Sequence, residues 1–170
     1  WVYFSAKKEK STEDGLYRVR FDGQGLERLT KEPASHFCQV SPGGSYFLDI
    51  STSVDRPSKQ DLYRSDGKWV RTVDSSESPA FKEYALGRKE LFTIPTEDGY
   101  ALPASWILPA DFDQGKKYPV IFAVYGGPAA PTVSNSYPPA PWLSCGESPR
   151  IGRATAPQAQ RESGVCGKRL

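Results

Sequence analysis

An unbroken apolar run constrains this chain more than any other feature. It is Val120-Ile121-Phe122-Ala123-Val124-Tyr125, entered through Tyr118-Pro119 and stopped by Gly126-Gly127-Pro128. A strand with no polar alternation expects cover on both faces, as in the middle of a parallel sheet. The Gly-Gly-Pro stop makes a sharp loop at the strand's C-terminal end, where open α/β sheets place their ligands. The turn at Gly126-Gly127-Pro128 is therefore read as site-forming.

The chain before this run is built differently. Leu16-Tyr17-Arg18-Val19-Arg20-Phe21 alternates apolar and charged residues, the pattern of a half-buried strand, and Asp22-Gly23 turns it. Phe37–Ser41 and Ser45–Thr52 flank Pro42-Gly43-Gly44, while Asp61–Arg64 and Trp69–Val73 flank Ser65-Asp66-Gly67. Leu-Tyr-Arg recurs at 16–18 and 62–64, each time just before Asp-Gly. That spacing is close to the ~40–50 residues of one four-stranded propeller blade. On this reading residues 1–30 supply three strands of one blade and residues 36–73 the whole of the next; the alternative is a β-sandwich with a chance match. Two blades do not close a ring, so strand edges are left unpaired.

Residues 75–89 are a polar linker or short helix. Beyond them, Glu90–Ile94 and Leu102–Leu108 form a hairpin around Glu97-Asp98-Gly99, and residues 109–117 cross over to the apolar strand. Residues 138–170 match nothing: Pro138, Pro139, Pro141, Pro149 and Pro157 break helices, and large apolar residues are few. The change just after Ser136-Tyr137 is abrupt. The tail is expected to be disordered and translated out of frame; a natural linker is the alternative.

Residues 1–137 carry 17 Lys/Arg against 18 Asp/Glu, a net −1, whereas residues 138–170 carry 5 against 2. Balanced, dispersed charge gives no nucleic-acid signature. Cys38, Cys145 and Cys166 have no metal spacing, their odd number argues against a disulfide framework, and Cys38 reads as a small buried residue. The apolar runs are too short to span a membrane. Trp1 within an apolar stretch, with no methionine anywhere, reads as an excerpt of a longer protein, which leaves the compartment open.

Several motifs carry a family resemblance. They are Leu16-Tyr17-Arg18-Val19, Leu29-Thr30, Ser41-Pro42-Gly43-Gly44-Ser45-Tyr46-Phe47-Leu48-Asp49 and Asp66-Gly67, then Asp98-Gly99, Leu108-Pro109, Asp111-Phe112, Lys117-Tyr118-Pro119-Val120 and Val124-Tyr125-Gly126-Gly127-Pro128. Up to about Tyr137 the chain resembles dipeptidyl-peptidase IV-type enzymes of the prolyl oligopeptidase family. The resemblance implies a mixed fold: the last blades of a β-propeller over residues 1–74, a linker over 75–89, and the first strands of an α/β-hydrolase sheet over 90–137. It implies a serine peptidase that removes Xaa-Pro dipeptides from peptide N-termini. A peptide is then the substrate of the parent, for which a homodimer is open, and no cofactor, metal or nucleic acid is involved. Tyr125 matches the tyrosine whose hydroxyl serves the oxyanion; without the resemblance it reads as a strand-end aromatic capping the core. Gly126 and Gly127 match the site-forming turn.

The rest of such a site is not in this sequence. No Gly-x-Ser-x-Gly elbow occurs. The single histidine, His36, precedes a propeller-type strand and reads as structural. Ser41, Ser45 and Ser148 lie outside any elbow context, and Glu97, Asp98, Asp111 and Asp113 read as turn and loop residues. The alternatives are an acylaminoacyl- or oligopeptidase-like parent, and a non-catalytic β-rich interaction module. If the tail is out of frame, another forward frame of the parent DNA beyond codon 137 encodes an apolar strand followed by Gly-x-Ser-x-Gly. Sequencing that DNA decides the point, and finding neither feature in either frame overturns the shift.

Overall fold

Each tight turn legible in the sequence joins two antiparallel strands. At the second Asp-Gly, Gly67 sits at φ 82°, a conformation that strains any side chain. Its N–H donates to the Arg64 carbonyl (2.9 Å), the Arg64 N–H to the Lys68 carbonyl (2.8 Å), and the Asp66 carboxylate accepts from the Lys68 N–H (3.1 Å). This is a short hairpin loop whose left-handed glycine matches the strand twist.

The computed structural model describes residues 1–83, 87–125, 132–137 and 152–157. These divide into two units, one of Trp1–Ser78 with Ser134–Tyr137, the other comprising the remainder. In the first unit, β1 (Val2–Ala6), β2 (Gly15–Val19) and β3 (Glu27–Arg28) form a three-stranded antiparallel sheet. A four-stranded meander follows: β4 (Ser35–Val40), β5 (Tyr46–Ser53), β6 (Arg56–Arg64) and β7 (Trp69–Ser75). The two Leu-Tyr-Arg motifs occupy β2 and β6, the penultimate strand of each sheet. Three strands followed by four, with equivalent positions repeating, is the arrangement of two consecutive propeller blades.

Register explains what each layer of the second sheet contains. Val40, Phe47 and Tyr63 lie opposite one another, Phe47 stacks on Tyr63 at 5.1 Å, and they pack against Leu16 of β2 and Leu29 just after β3. One layer along, Cys38, Asp49, Asp61 and Thr72 are in register. Asp49 and Asp61 are both buried, at 2% and 1% exposure. Asp61 accepts from Thr72 Oγ1 (2.6 Å) and Trp69 Nε1 (3.3 Å) and pairs with Lys59 Nζ at 3.0 Å. Burial raises its carboxyl pKa, but hydrogen bonds from Thr72, Lys59 and Trp69 outweigh burial and hold it below the usual aspartate range.

In the second unit a 3-10 turn, Pro79–Glu83, precedes β8 (Arg88–Pro95), β9 (Ala101–Leu108), β10 (Val120–Tyr125) and β11 (Gly152–Pro157). The sheet order is β10-β11-β9-β8, with β10 and β11 parallel and the other pairs antiparallel. Two features differ from the sequence reading. Val120, Ile121 and Phe122 are 49, 45 and 71% exposed, so the apolar strand is not covered on both faces. Among the described residues this unit has no α-helix to lie against its sheet. In addition, Gly152–Pro157 is a strand within the stretch read as irregular; backbone ladder bonds need no particular side chain, so β11 carries no sequence signature. Residues 138–151 and 158–170 lie outside the described residues.

Asp61→Ala is expected to destabilise the first unit by about 1–3 kcal/mol, because it leaves Thr72 Oγ1 and Trp69 Nε1 without their acceptor. Urea unfolding followed by tryptophan fluorescence measures this, and a loss below ~0.5 kcal/mol overturns the account. The pH dependence has a definite sign. A carboxyl with a folded-state pKa below its unfolded one stabilises fully above the unfolded value, and that stabilisation is lost as pH falls through the folded value. Acidification below about pH 4 therefore weakens the wild type more than the variant.

Candidate functional site

The parallel pairing of β10 with β11 brings two C-terminal strand ends side by side. Register runs from Val120 opposite Gly152 to Tyr125 opposite Pro157, so Tyr125 is the last residue of the ladder. Parallel strands collect ligands at this end, because their loops diverge there and leave a crevice. The chain reaches β10 through a loop in which Phe112 and Tyr118 pack ring to ring at 5.3 Å, and the Tyr118 hydroxyl accepts from the Asp113 N–H at 3.0 Å. Gly126 and Gly127 lie outside the described residues. What stands beside Tyr125 in the ladder is Pro157, which has neither an N–H nor a titratable group to offer.

The acidic residues read as turn and loop groups behave as such. Asp98 accepts from Thr96 Oγ1 and from the Tyr100 N–H, and the Thr96 bond holds its carboxyl below the usual range. Asp113 accepts from the Gly115 N–H at 2.9 Å and pairs with Lys116.

His36, Cys38 and Asp49 form a second cluster, in the first unit. His36 Nδ1 meets the Asp49 carboxylate at 2.8 and 3.0 Å, and Nε2 meets the Glu32 carbonyl at 3.0 Å. Both ring nitrogens therefore face acceptor oxygens, and the ring is held from both sides. The Cys38 thiol donates to Asp49 Oδ1 at 3.3 Å. Burial first, then the Asp49 charge and hydrogen bond, push that thiol far above the ordinary cysteine range. Cys, His and Asp are together here, yet the order of contacts is wrong for nucleophilic catalysis. The carboxylate, not the imidazole, holds the thiol, and both imidazole nitrogens are already engaged. Tyr63, on the same face, is pushed up to about 12 by burial and by the charges of Asp61, Asp49 and Glu32. His36 is thus a structural residue, as its sequence context implied. The burial of Asp49 had a sequence signal, since alternation through Phe47, Asp49, Ser51 and Ser53 puts all four on one face.

Comparison with known proteins gives this geometry a context. Residues 1–58 match the family model of the dipeptidyl peptidase IV N-terminal region. Over 142 residues, 80% of its length, the chain is 37% identical to a probable dipeptidyl-aminopeptidase B of Uncinocarpus reesii and 32% identical to dipeptidyl peptidase 4 of Trichophyton rubrum. The crystal structure of Porphyromonas gingivalis dipeptidyl peptidase 4 superposes with a TM-score of 0.78 over 92% of the chain, at 23% identity, and so shares the fold. The chain is dipeptidyl peptidase IV-like.

It spans 15% of the Uncinocarpus relative, 18% of the Trichophyton one and 22% of the Porphyromonas structure. Among the described residues of this dipeptidyl peptidase IV-like chain, no three His, Cys, Asp or Glu side chains form a metal-binding group, and no helix is long and apolar enough to cross a membrane. A raised thiol pKa leaves little thiolate near neutral pH. Cys38 is therefore expected to react with iodoacetamide at least about tenfold more slowly in the native chain than in urea, read peptide by peptide with mass spectrometry. Equal rates overturn the buried Cys38–Asp49 contact.

Proposed function

We propose that this chain is part of a serine-type dipeptidyl peptidase that removes Xaa-Pro dipeptides from peptide N-termini, with Tyr125 as an oxyanion donor. The observation that carries the reading is the position of Tyr125, last in a strand whose neighbour runs parallel, within a dipeptidyl peptidase IV-like sequence. When a nucleophile attacks a peptide carbonyl, negative charge develops on the oxygen. A phenol fixed at a strand end donates to that charge more strongly than to the ground-state carbonyl, which lowers the barrier by about 3–4 kcal/mol for one such donor. The hairpin β8–β9, the crossover at 109–119 and the parallel pair support an α/β-hydrolase sheet in its opening strands.

An oxyanion donor by itself forms no covalent intermediate. The reaction needs a serine hydroxyl to attack, a base to accept its proton and return it to the leaving amine, and an acid to orient the base. The sequence holds no elbow serine, and its one histidine is engaged with Asp49 and Glu32. The 170-residue chain alone is therefore inactive on this reading. A second reading, an interaction module, draws on β7, the outer strand of its sheet. Every residue of β7 is exposed, including Trp69, Val70 and Val73. That reading requires a defined oligomer and no turnover by the full-length product.

The test uses Ala-Pro and Gly-Pro arylamides together with a fluorophosphonate probe. The 170-residue chain is expected to release no chromophore and take up no probe. The full-length gene product is expected to do both, and Tyr125→Phe to lower its kcat by ~10²–10³-fold. Turnover and labelling by the short chain, or an unchanged kcat in the phenylalanine variant, overturn the proposal.

A further inference from the structure

Ser134–Tyr137 belongs to the first unit although it lies outside that unit's strands. Asn135 accounts for its place there. The side chain is buried, at 7% exposure, and every polar group of the residue is used. Nδ2 donates to Glu13 Oε1 at 3.0 Å and to the Pro33 carbonyl at 3.1 Å, while Oδ1 accepts from the Val54 N–H at 3.0 Å. Its own N–H donates to the Thr12 carbonyl at 2.7 Å, and its carbonyl accepts from the Ser35 N–H at 3.2 Å. Two residues on, the Tyr137 N–H donates to Thr52 Oγ1 at 3.0 Å. The segment is held as a bound peptide is held, by main-chain bonds and one side chain sunk into a polar pocket.

The walls of that pocket are fixed by bonds of their own. In the loop before β2, the Glu13 N–H donates to the Lys10 carbonyl and Lys10 Nζ pairs with Glu13 Oε1, both at 3.2 Å. The same loop is joined to the start of β4 by the His36 N–H on the Asp14 carbonyl (3.1 Å) and by Ser35 Oγ on the Thr12 carbonyl (3.3 Å). The turn after β5 is closed by Thr52 Oγ1 on the Arg56 carbonyl (3.1 Å) and Ser53 Oγ on the Asp55 carboxylate (2.5 Å). None of these bonds involves residues 134–137. Walls that stand without the occupant make a preorganised site, which lowers the ordering cost of binding. Its chemistry also selects the ligand. Two acceptors and one donor converge there, and a primary amide offers two donors and one acceptor in one plane. An aspartate would set a carboxylate against the Glu13 carboxylate and the Pro33 carbonyl, and an alanine would leave the Val54 N–H unpaired in a buried place.

We infer that the first unit holds a peptide-binding pocket selective for a carboxamide side chain, formed by Glu13, Pro33 and Val54, and that Ser134–Tyr137 is its separable ligand. The partner it fits is an extended peptide with an asparagine between two serines, as Ser134-Asn135-Ser136 supplies. In the intact chain the segment is tethered to its own pocket, and a tethered ligand competes at an effective concentration on the order of 1 mM. Only residues of the first unit take part, so the site is independent of the peptidase proposed above.

The experiment supplies the segment in trans to the 170-residue chain. Asn135→Pro removes both the side-chain amide and the N–H that meets Thr12, which empties the pocket while leaving its walls unchanged. The probe is a fluorescein-labelled hexapeptide with the sequence of residues 132–137, Thr-Val-Ser-Asn-Ser-Tyr, followed by fluorescence anisotropy. The proline variant is expected to bind it at least about tenfold more tightly than the wild type does, because the wild type's own segment competes. Replacing the peptide's asparagine by alanine or aspartate is expected to weaken binding at least about tenfold, and so is adding Glu13→Ala to the proline variant. If the proline variant does not fold alone, the asparagine peptide in the refolding buffer is expected to restore its folded fraction and the alanine peptide is not. No binding or rescue, equal affinity for wild type and variant, or equal affinity for the asparagine and alanine peptides overturns the pocket. Each of these outcomes leaves the peptidase reading where arylamide turnover puts it.

Discussion

Two buried carboxylates directly across from each other on β5 and β6 set the terms for the blade pair. Asp49 and Asp61 are register partners, so their side chains stand about 5 Å apart on one face. At an effective dielectric of about 20 their repulsion is on the order of 3 kcal/mol. Nothing apolar offsets that, so each must have its own compensation. The structure divides the work. Asp49 turns to His36 and Cys38 on β4, and Asp61 turns to Lys59 on its own strand and to Trp69 and Thr72 on β7. For Asp61, the pair with Lys59 at 3.0 Å under the same dielectric is worth on the order of 5 kcal/mol, enough to outweigh the repulsion but little more. The raised Cys38 and Tyr63 groups are consequences of the same crowding, since a further negative charge on that face has no cation left to meet.

Much of this was legible because strands and tight turns are written locally. Asp22-Gly23, Gly43-Gly44, Asp66-Gly67 and Asp98-Gly99 each close a hairpin, since an αL position admits glycine and the aspartates beside it cap the turn. Alternation in residues 46–53 assigned the inward face of β5, including its aspartate. The recurrence of Leu-Tyr-Arg located equivalent strands in two sheets. What the residues did not disclose is non-local. Asn135 lies in a polar stretch with no pattern, and its meaning comes from three loops that are 81 to 122 residues away in the chain for Val54, Pro33 and Glu13. The apolar run at 120–125 reports what a strand prefers to have over it, not what is present to cover it.

The second unit makes the same distinction between a backbone's demands and a side chain's. Between β9 and β10 the sheet needs a strand, because an open gap there would leave both ladders without partners. Gly152–Pro157 fills the position with glycine, alanines, one arginine, one threonine and a proline, a set with little strand preference. Ladder bonding does not depend on that preference. The exposure of Val120, Ile121 and Phe122 belongs to the same picture, a sheet complete in its hydrogen bonds along this stretch and incomplete in its apolar cover.

Chemical competence at the strand end is limited for a related reason. Stabilising an oxyanion is a matter of aiming fixed dipoles at charge that develops in the transition state, and one donor supplies only part of the field. Further N–H groups have to come from the neighbouring backbone, and proline is the one residue that cannot provide one. With Pro157 opposite it, Tyr125 stands in a ladder whose next residue contributes no donor, no base and no nucleophile. On the proposed reading, such a strand end stabilises charge without supplying the groups that generate it. On that reading its contribution to catalysis becomes measurable only together with a serine and its base, and no Gly-x-Ser-x-Gly elbow occurs in these 170 residues.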